Sequence, residues 1–253
     1  MKFAQLLFSP TGGTQKVTEA ITGAWEAEVE TIDLTDPAIS PYAFEAEDLV
    51  LIAIPSYGGR IPSLAAERLE RIQGGGASCV LVCVYGNRAY EDTLAEMADL
   101  AGKCGFMVIA AVSAVAEHSI MRQYAAGRPD EKDIRELKSY GKAILEKLEA
   151  GGLKEMPQVP GNRPYKKAGG GGLVPKATKD CNNCGVCAGL CPVEAIDKTN
   201  AKKVDSKKCI SCMRCVARCP ESARKVNSAM VAAASLALKS ACSVRKDCEL
   251  FIY

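Results

Sequence analysis

The sequence predicts an α/β protein, a doubly wound parallel sheet of five strands in the order 2-1-3-4-5, followed by a smaller α+β domain organised by cysteines. Three observations carry this. Apolar runs alternate with helical patterns over the first 150 residues, the signature of a sheet wrapped by helices. The runs Leu49–Ile54 and Cys79–Val84 are apolar throughout, as strands covered on both faces must be. Eight of the thirteen cysteines fall between Cys181 and Cys219 in two tight groups. In a chain without a secretory pattern, such groups read as metal ligands rather than disulfides.

Taken in order, the expected strands are Phe3–Phe8, Glu28–Leu34, Leu49–Ile54, Cys79–Val84 and Val108–Val115. Helical spacing between and after them predicts helices over Thr14–Ala24, Pro62–Ile72, Tyr90–Cys104 and Asp130–Ala150. Residues 151–177 lose periodicity, with Pro157, Pro160, Pro164, Pro175, the run Gly169–Gly172 and several lysines. This composition reads as a linker with a solvated positive surface. Residues 178–226 form the cysteine domain. The segment 227–253 begins alanine-rich and helical, and is expected to pack on one of the two domains.

Composition sets limits on function. An apolar fraction of 48% and a charged fraction of 25% are ordinary for a globular chain. A net charge of +2 offers no sequence-wide field for nucleic acid or a membrane surface. The apolar stretch at Met1–Phe8 is too short for a signal peptide, and Ala229–Leu238 is about half a membrane span. The expected compartment is the cytoplasm.

The cysteines carry the strongest signal. Cys181-x2-Cys184-x2-Cys187-x3-Cys191-Pro192 recurs as Cys209-x2-Cys212-x2-Cys215-x3-Cys219-Pro220. This spacing suits [4Fe–4S] cubanes, in which three close thiolates wrap one cluster and the fourth cysteine ligates the other. By that rule one cluster takes Cys181, Cys184, Cys187 and Cys219, and the second takes Cys209, Cys212, Cys215 and Cys191. Two four-thiolate zinc sites are the alternative, but zinc does not require tandem three-plus-one spacing with proline after each fourth cysteine. Residues 178–226 resemble a bacterial 2[4Fe–4S] ferredoxin. One position departs from that pattern: Arg224 stands where an aliphatic residue usually covers a cluster, which predicts unequal reduction potentials. Oxygen-sensitive cubanes also point to an anaerobic host.

The N-terminal loops supply a second constellation. Ser9, Thr11 and Thr14 with Gly12 and Gly13 join the first strand to the first helix, a cradle of amides and hydroxyls suited to a phosphate; an ordinary helix cap is the alternative. The loops expected at the same sheet edge contain Pro55, Ser56, Tyr57, Gly58 and Gly59, then Tyr85, Gly86, Asn87, Tyr90 and Asp92. Tyr57 and Tyr90 are candidate stacking partners for a flat ligand. Ser9-x-Thr11-Gly12-x-Thr14 and Gly86-Asn87-x-x-Tyr90 resemble the flavodoxin phosphate and ring loops, and that resemblance implies noncovalent FMN. Asn87 stands where many flavodoxins carry aspartate. The whole chain resembles flavodoxin–ferredoxin fusion proteins. His118, the single histidine, lies at this edge and is either structural or a proton relay for the flavin. Cys79 and Cys83 read as core residues, Trp25 as a packing residue, and Cys104, Cys242 and Cys248 lie outside the cluster motifs.

The expected activity is electron transfer between two [4Fe–4S] clusters and FMN, and onward to another redox protein, a ferredoxin-like donor or a reductase acceptor. Lys207, Lys208, Arg214, Arg218, Arg224 and Lys225 gather as a basic rim, either a steering surface for a partner or plain solvated surface. An FMN-dependent reductase of a small acceptor and a redox-sensing regulator are the alternatives. No helix-turn-helix signature supports nucleic-acid binding.

Overall fold

The structure is a computed structural model that describes residues 1–151, 156–169 and 172–253. Strands β1 (Phe3–Leu7), β2 (Val29–Asp33), β3 (Leu49–Pro55), β4 (Ser78–Tyr85) and β5 (Met107–Val115) are all parallel. They lie in the order β2-β1-β3-β4-β5 expected from the sequence. β3 and β4 are central, and their residues from Leu49 to Ile54 and from Ser78 to Tyr85 are all buried. β2 is an edge strand and accordingly has no fully buried residue, only Val29 and Ile32 being partly covered.

Four helices cover the sheet: α1 (Gly13–Thr22), α2 (Ser63–Leu69), α3 (Thr93–Lys103) and α4 (Glu131–Glu149). One face packs Phe8, Ile52, Ile54 and Leu81 against Leu69 of α2 and Leu94 and Met97 of α3. The other packs Leu51, Val80 and Val82 against Val17 and Ile21 of α1 and Leu137 and Ile144 of α4. α4 starts in a capping box, Asp130 accepting from the Lys132 and Asp133 amides.

The cysteine region contains two one-turn helices, α5 (Val186–Gly189) and α6 (Arg214–Ala217), at matching points of the repeat. A two-residue antiparallel pairing of Lys176–Ala177 with Arg224–Lys225 closes it. The following helix, α7 (Ser228–Cys242), fulfils only the first half of the helical extension expected over residues 227–253. The chain then returns as β6 (Glu249–Phe251), which pairs antiparallel with β5 and gives the sheet a sixth strand. The physical reason is the open edge of β5: a row of unpaired backbone groups beside buried Ala111, Val112 and Ser113 is satisfied by Phe251, Leu250 and Glu249.

Residues 156–169 are strapped to the α/β domain although most of them are exposed. Asp92 accepts from the Asn162 amide (2.8 Å) and the Lys166 amide (2.7 Å). Arg163 pairs with Asp99 (2.6 Å), and Val159 packs on the core. The positive charge expected to face water there is therefore spent partly on Asp99 and on Glu91, which pairs with Lys166. Positions 152–155 and Gly170-Gly171 of the expected linker lie outside the described residues.

Candidate functional site

The carboxyl ends of β1, β3, β4 and β5 converge on a pocket of about 480 Å³. It is lined by Pro10, Thr11, Gly13, Thr14, Pro55, Ser56, Tyr57, Tyr85, Gly86 and His118, with Val84, Ala116, Glu117 and Ser119. At its floor α1 begins without a side-chain cap, because Gly12 takes the left-handed conformation with φ +90°. The space beside Gly12 is open, and the first-turn amides of Gly13 and Thr14 have no intrahelical partner. Ser9 is buried, and its Oγ accepts from the first-turn amide of Gln15 (3.0 Å), which steadies the loop. A helix start whose two leading amides have no intrahelical partner, beside open space, fits a phosphate dianion.

The walls fit a flat group. Gly86 allows close approach: a Cβ there would stand 2.7 Å from His118 Cδ2. His118 is half-buried, and its Nδ1 accepts from the Ile120 and Met121 amides, both at 3.2 Å. That bonding leaves the proton on Nε2, and burial lowers the imidazole pKa from its ordinary value, with the Arg88 charge adding to the effect. His118 thus presents a neutral N–H donor to the pocket and holds its own loop through the two amides. Burial raises the Tyr57 phenol well above its ordinary range, and the neighbouring Cys212 sulfur acts in the same direction. Tyr57 therefore stands between this pocket and the cysteine region.

Several residues expected at the pocket are committed elsewhere. Asn87 is buried and clamps the C-terminal segment, donating to the Cys242 carbonyl (2.9 Å) and the Val244 carbonyl (2.8 Å) and accepting from the Lys246 amide (3.1 Å). Tyr90 donates to Glu249 of β6 (3.0 Å) and packs edge-on against Tyr85 at 5.2 Å. That places its ring against the added strand instead of over a ligand. Asp92 holds the strap, Gly58 lies beside Gly169, and Gly59 lies beside Glu91. The sixth strand and the strap, which sequence patterning did not reveal, are what redirect these side chains.

The eight cysteines gather in two pockets. One, of about 370 Å³, is lined by Cys191, Cys209, Cys212 and Cys215 with Val193, Ile196, Ile210 and Arg214. The other, of about 300 Å³, is lined by Cys181, Cys184, Cys187 and Cys219 with Ala201, Ala223 and Arg224. Each fourth cysteine thus sits with the three of the opposite half. The two fourth sulfurs also share a local device: Cys191 Sγ accepts from the Ala195 amide and Cys219 Sγ from the Ala223 amide, each at 3.3 Å. Amide bonds to sulfur favour the thiolate that metal coordination requires. Four sulfurs in a small apolar pocket, twice over, fit a pair of cubanes.

The Cys191 pocket is the one fastened to the α/β domain. Ile210 packs on the core, and Arg68 of α2 donates to the Pro192 carbonyl and the Leu34 carbonyl, both at 2.6 Å. Arg214 reaches Asp33 at 3.7 Å. The expected basic rim consequently loses two members: Arg224 is buried and Arg214 is turned inward, while Lys207, Lys208, Arg218 and Lys225 remain exposed. Cys184 of the other pocket is exposed. No helix among the described residues is long and apolar enough to cross a membrane.

Residues 174–220 match the profile of the 4Fe-4S dicluster domain family. No curated protein matches the chain. Among solved structures, the chain is similar to a flavodoxin of Streptococcus pneumoniae TIGR4, at 18% identity and TM-score 0.41 over 57% of this chain and 99% of that one. It is likewise similar to Flavodoxin 1 of Bacillus cereus, at 15% identity and TM-score 0.40 over 58% and 98% of the two chains. For the flavodoxin of Megasphaera elsdenii the values are 17% and 0.36, over 57% and 98%. The strand order, the pocket at the strand ends and the dicluster match stand together: the chain joins a flavodoxin-like α/β domain to a domain that matches the 4Fe-4S dicluster family.

Proposed function

We propose that the protein is an electron carrier holding two [4Fe–4S] clusters and one FMN, and that it exchanges electrons with a separate redox protein. The observation that carries this reading is the sorting of eight cysteines into two three-plus-one sets. When bound, the cubanes pass electrons singly and the flavin accepts two. The chain's own residues do the rest. The amides of Gly13 and Thr14 would hold the phosphate, Tyr57 and the Gly86 backbone would line the ring, and the Nε2–H of His118 would offer a hydrogen bond. Arg68, Ile210 and Arg214 fix the Cys191 pocket against the flavin domain, so the redox centres keep a constant separation. The exposed Cys184 edge is the docking side for the external partner.

Anaerobic purification tests this directly. The expected yield is about eight irons and eight sulfides per chain, four of each per cubane, with one FMN. Cys191→Ser is expected to lose cluster signal from the pocket of Cys209, Cys212 and Cys215 while the other survives. Colourless wild-type protein would sink the reading.

A second reading has its own support. A polar cleft of about 1050 Å³ opens beside the flavin loop, between Thr11, Lys16 and Arg122 on one side and Met213, Val216 and Cys219 on the other. With Tyr90 turned away, such a cleft suits a reductase of a small polar acceptor. Saturable reoxidation of the reduced protein by small acceptors supports that reading, and reoxidation only by proteins supports the carrier.

A further inference from the structure

Resting on the two-cluster reading, we propose that Arg224 is a positioning residue that selectively raises the reduction potential of the cluster held by Cys181, Cys184, Cys187 and Cys219. The repeat supplies the internal control. Cys191-Pro192-Val193-Glu194-Ala195-Ile196 aligns with Cys219-Pro220-Glu221-Ser222-Ala223-Arg224, so Arg224 is the counterpart of Ile196. Both side chains are almost wholly buried, and each lines its own four-cysteine pocket. One pocket is therefore roofed by an aliphatic group and the other by a permanent cation.

The surroundings of that cation are unusual. Arg224 is 2% exposed, donating to the Ala201 carbonyl, the Pro175 carbonyl (3.3 Å) and Cys187 Sγ (3.4 Å). Its Nε has no partner, and among the described residues it has no carboxylate ion pair. Arg214, at the other pocket, is offset by Asp33. A buried guanidinium is costly unless compensated, and two neutral carbonyls compensate it only in part. The missing anion is what a cubane with four thiolates provides, with net charge −2 when oxidised and −3 after one electron is added. The cation attracts the second state more strongly than the first, and its N–H···S bond draws negative charge from Cys187, so reduction becomes easier. The charge also reaches Cys209 and Cys215, but with no hydrogen bond to either.

The test is an anaerobic potentiometric titration of the holoprotein, followed by the EPR signals of the reduced clusters, with iron and sulfide measured in each sample. Arg224→Ile copies the first half of the repeat, Arg224→Gln keeps a hydrogen-bonding group without charge, and Arg224→Lys keeps the charge without the fork. The expected result is that Ile and Gln each shift one midpoint down by at least tenfold in the reduction equilibrium, about 59 mV for one electron. The other midpoint moves less, and Lys restores part of the shift. If Arg224→Ile fails to load iron, Gln and Lys decide. Full iron content with both midpoints unmoved, or both moved equally, overturns the proposal. Wild-type protein without iron overturns the two-cluster reading on which it rests.

Discussion

Arg68 is the most informative place to disturb the contact between the two domains. Its side chain is 4% exposed and spends two N–H groups on the Leu34 and Pro192 carbonyls, both at 2.6 Å. In Arg68→Met the aliphatic volume is kept and both bonds vanish. Hydrogen bonds to a charged group are each worth about 1.5–3 kcal/mol, so the gross loss is about 3–6 kcal/mol. Part returns because a charge no longer has to be buried; burial already lowers the pKa of this guanidinium. The net expectation is about 2–4 kcal/mol, allowing the returned desolvation roughly a third of the gross loss. Anaerobic urea unfolding followed by far-UV circular dichroism and by visible absorbance of the cysteine domain measures it. The absorbance transition is expected to move to lower urea and to separate from the dichroism transition. Arg71→Met, on an exposed neighbour, is the control and is expected to stay within about 0.5 kcal/mol. A wild-type profile for Arg68→Met would refute the idea that this bond pair docks the domains.

Other expectations follow from the same geometry. Gly86→Val places a Cβ 2.7 Å from the His118 ring and is expected to weaken FMN binding at least tenfold, about 1.4 kcal/mol, by fluorescence titration. His118 has its native pKa below the ordinary value of about 6.5. Below that pH the unfolded chain takes up a proton that the native imidazole refuses, so stability falls as pH drops until the native pKa is passed. His118→Gln is expected to flatten this part of the pH–stability curve, and an unchanged slope would show that other groups cause it. Asn87→Ala removes three hydrogen bonds to the C-terminal segment and is expected to cost about 1.5–4.5 kcal/mol, at roughly 0.5–1.5 kcal/mol per bond. Hydrogen exchange at the β6 amides is expected to accelerate first.

Much of this was legible in the sequence, for identifiable reasons. The strands of the parallel sheet declare themselves because both faces are covered, which forces runs such as Leu-Val-Leu-Ile-Ala-Ile at Leu49–Ile54. The cysteine pockets are legible because ligand spacing is a local constraint, and the crossed sorting follows from it. Contacts without period or motif were not legible. β6 is three residues long and pairs with residues about 136 positions away, as the Ser113–Glu249 bond shows (2.9 Å). Once it is unseen, the placement of Tyr90 and Asn87 goes astray, since both serve that return. Asp92 and Asp99 likewise gain their roles only from the strap. Arg224 was recognisable as an anomaly within the repeat, but its burial and its bond to Cys187 required coordinates.

The C-terminal return also changes what kind of fusion this is. The polypeptide leaves the sheet after α4, builds the cysteine module, and comes home to the same sheet as β6. The module is therefore sewn in at both ends, like an insertion within one domain, instead of trailing from a single thread. Such stitching limits how far the module can turn against the sheet, because its two ends are held at separate points.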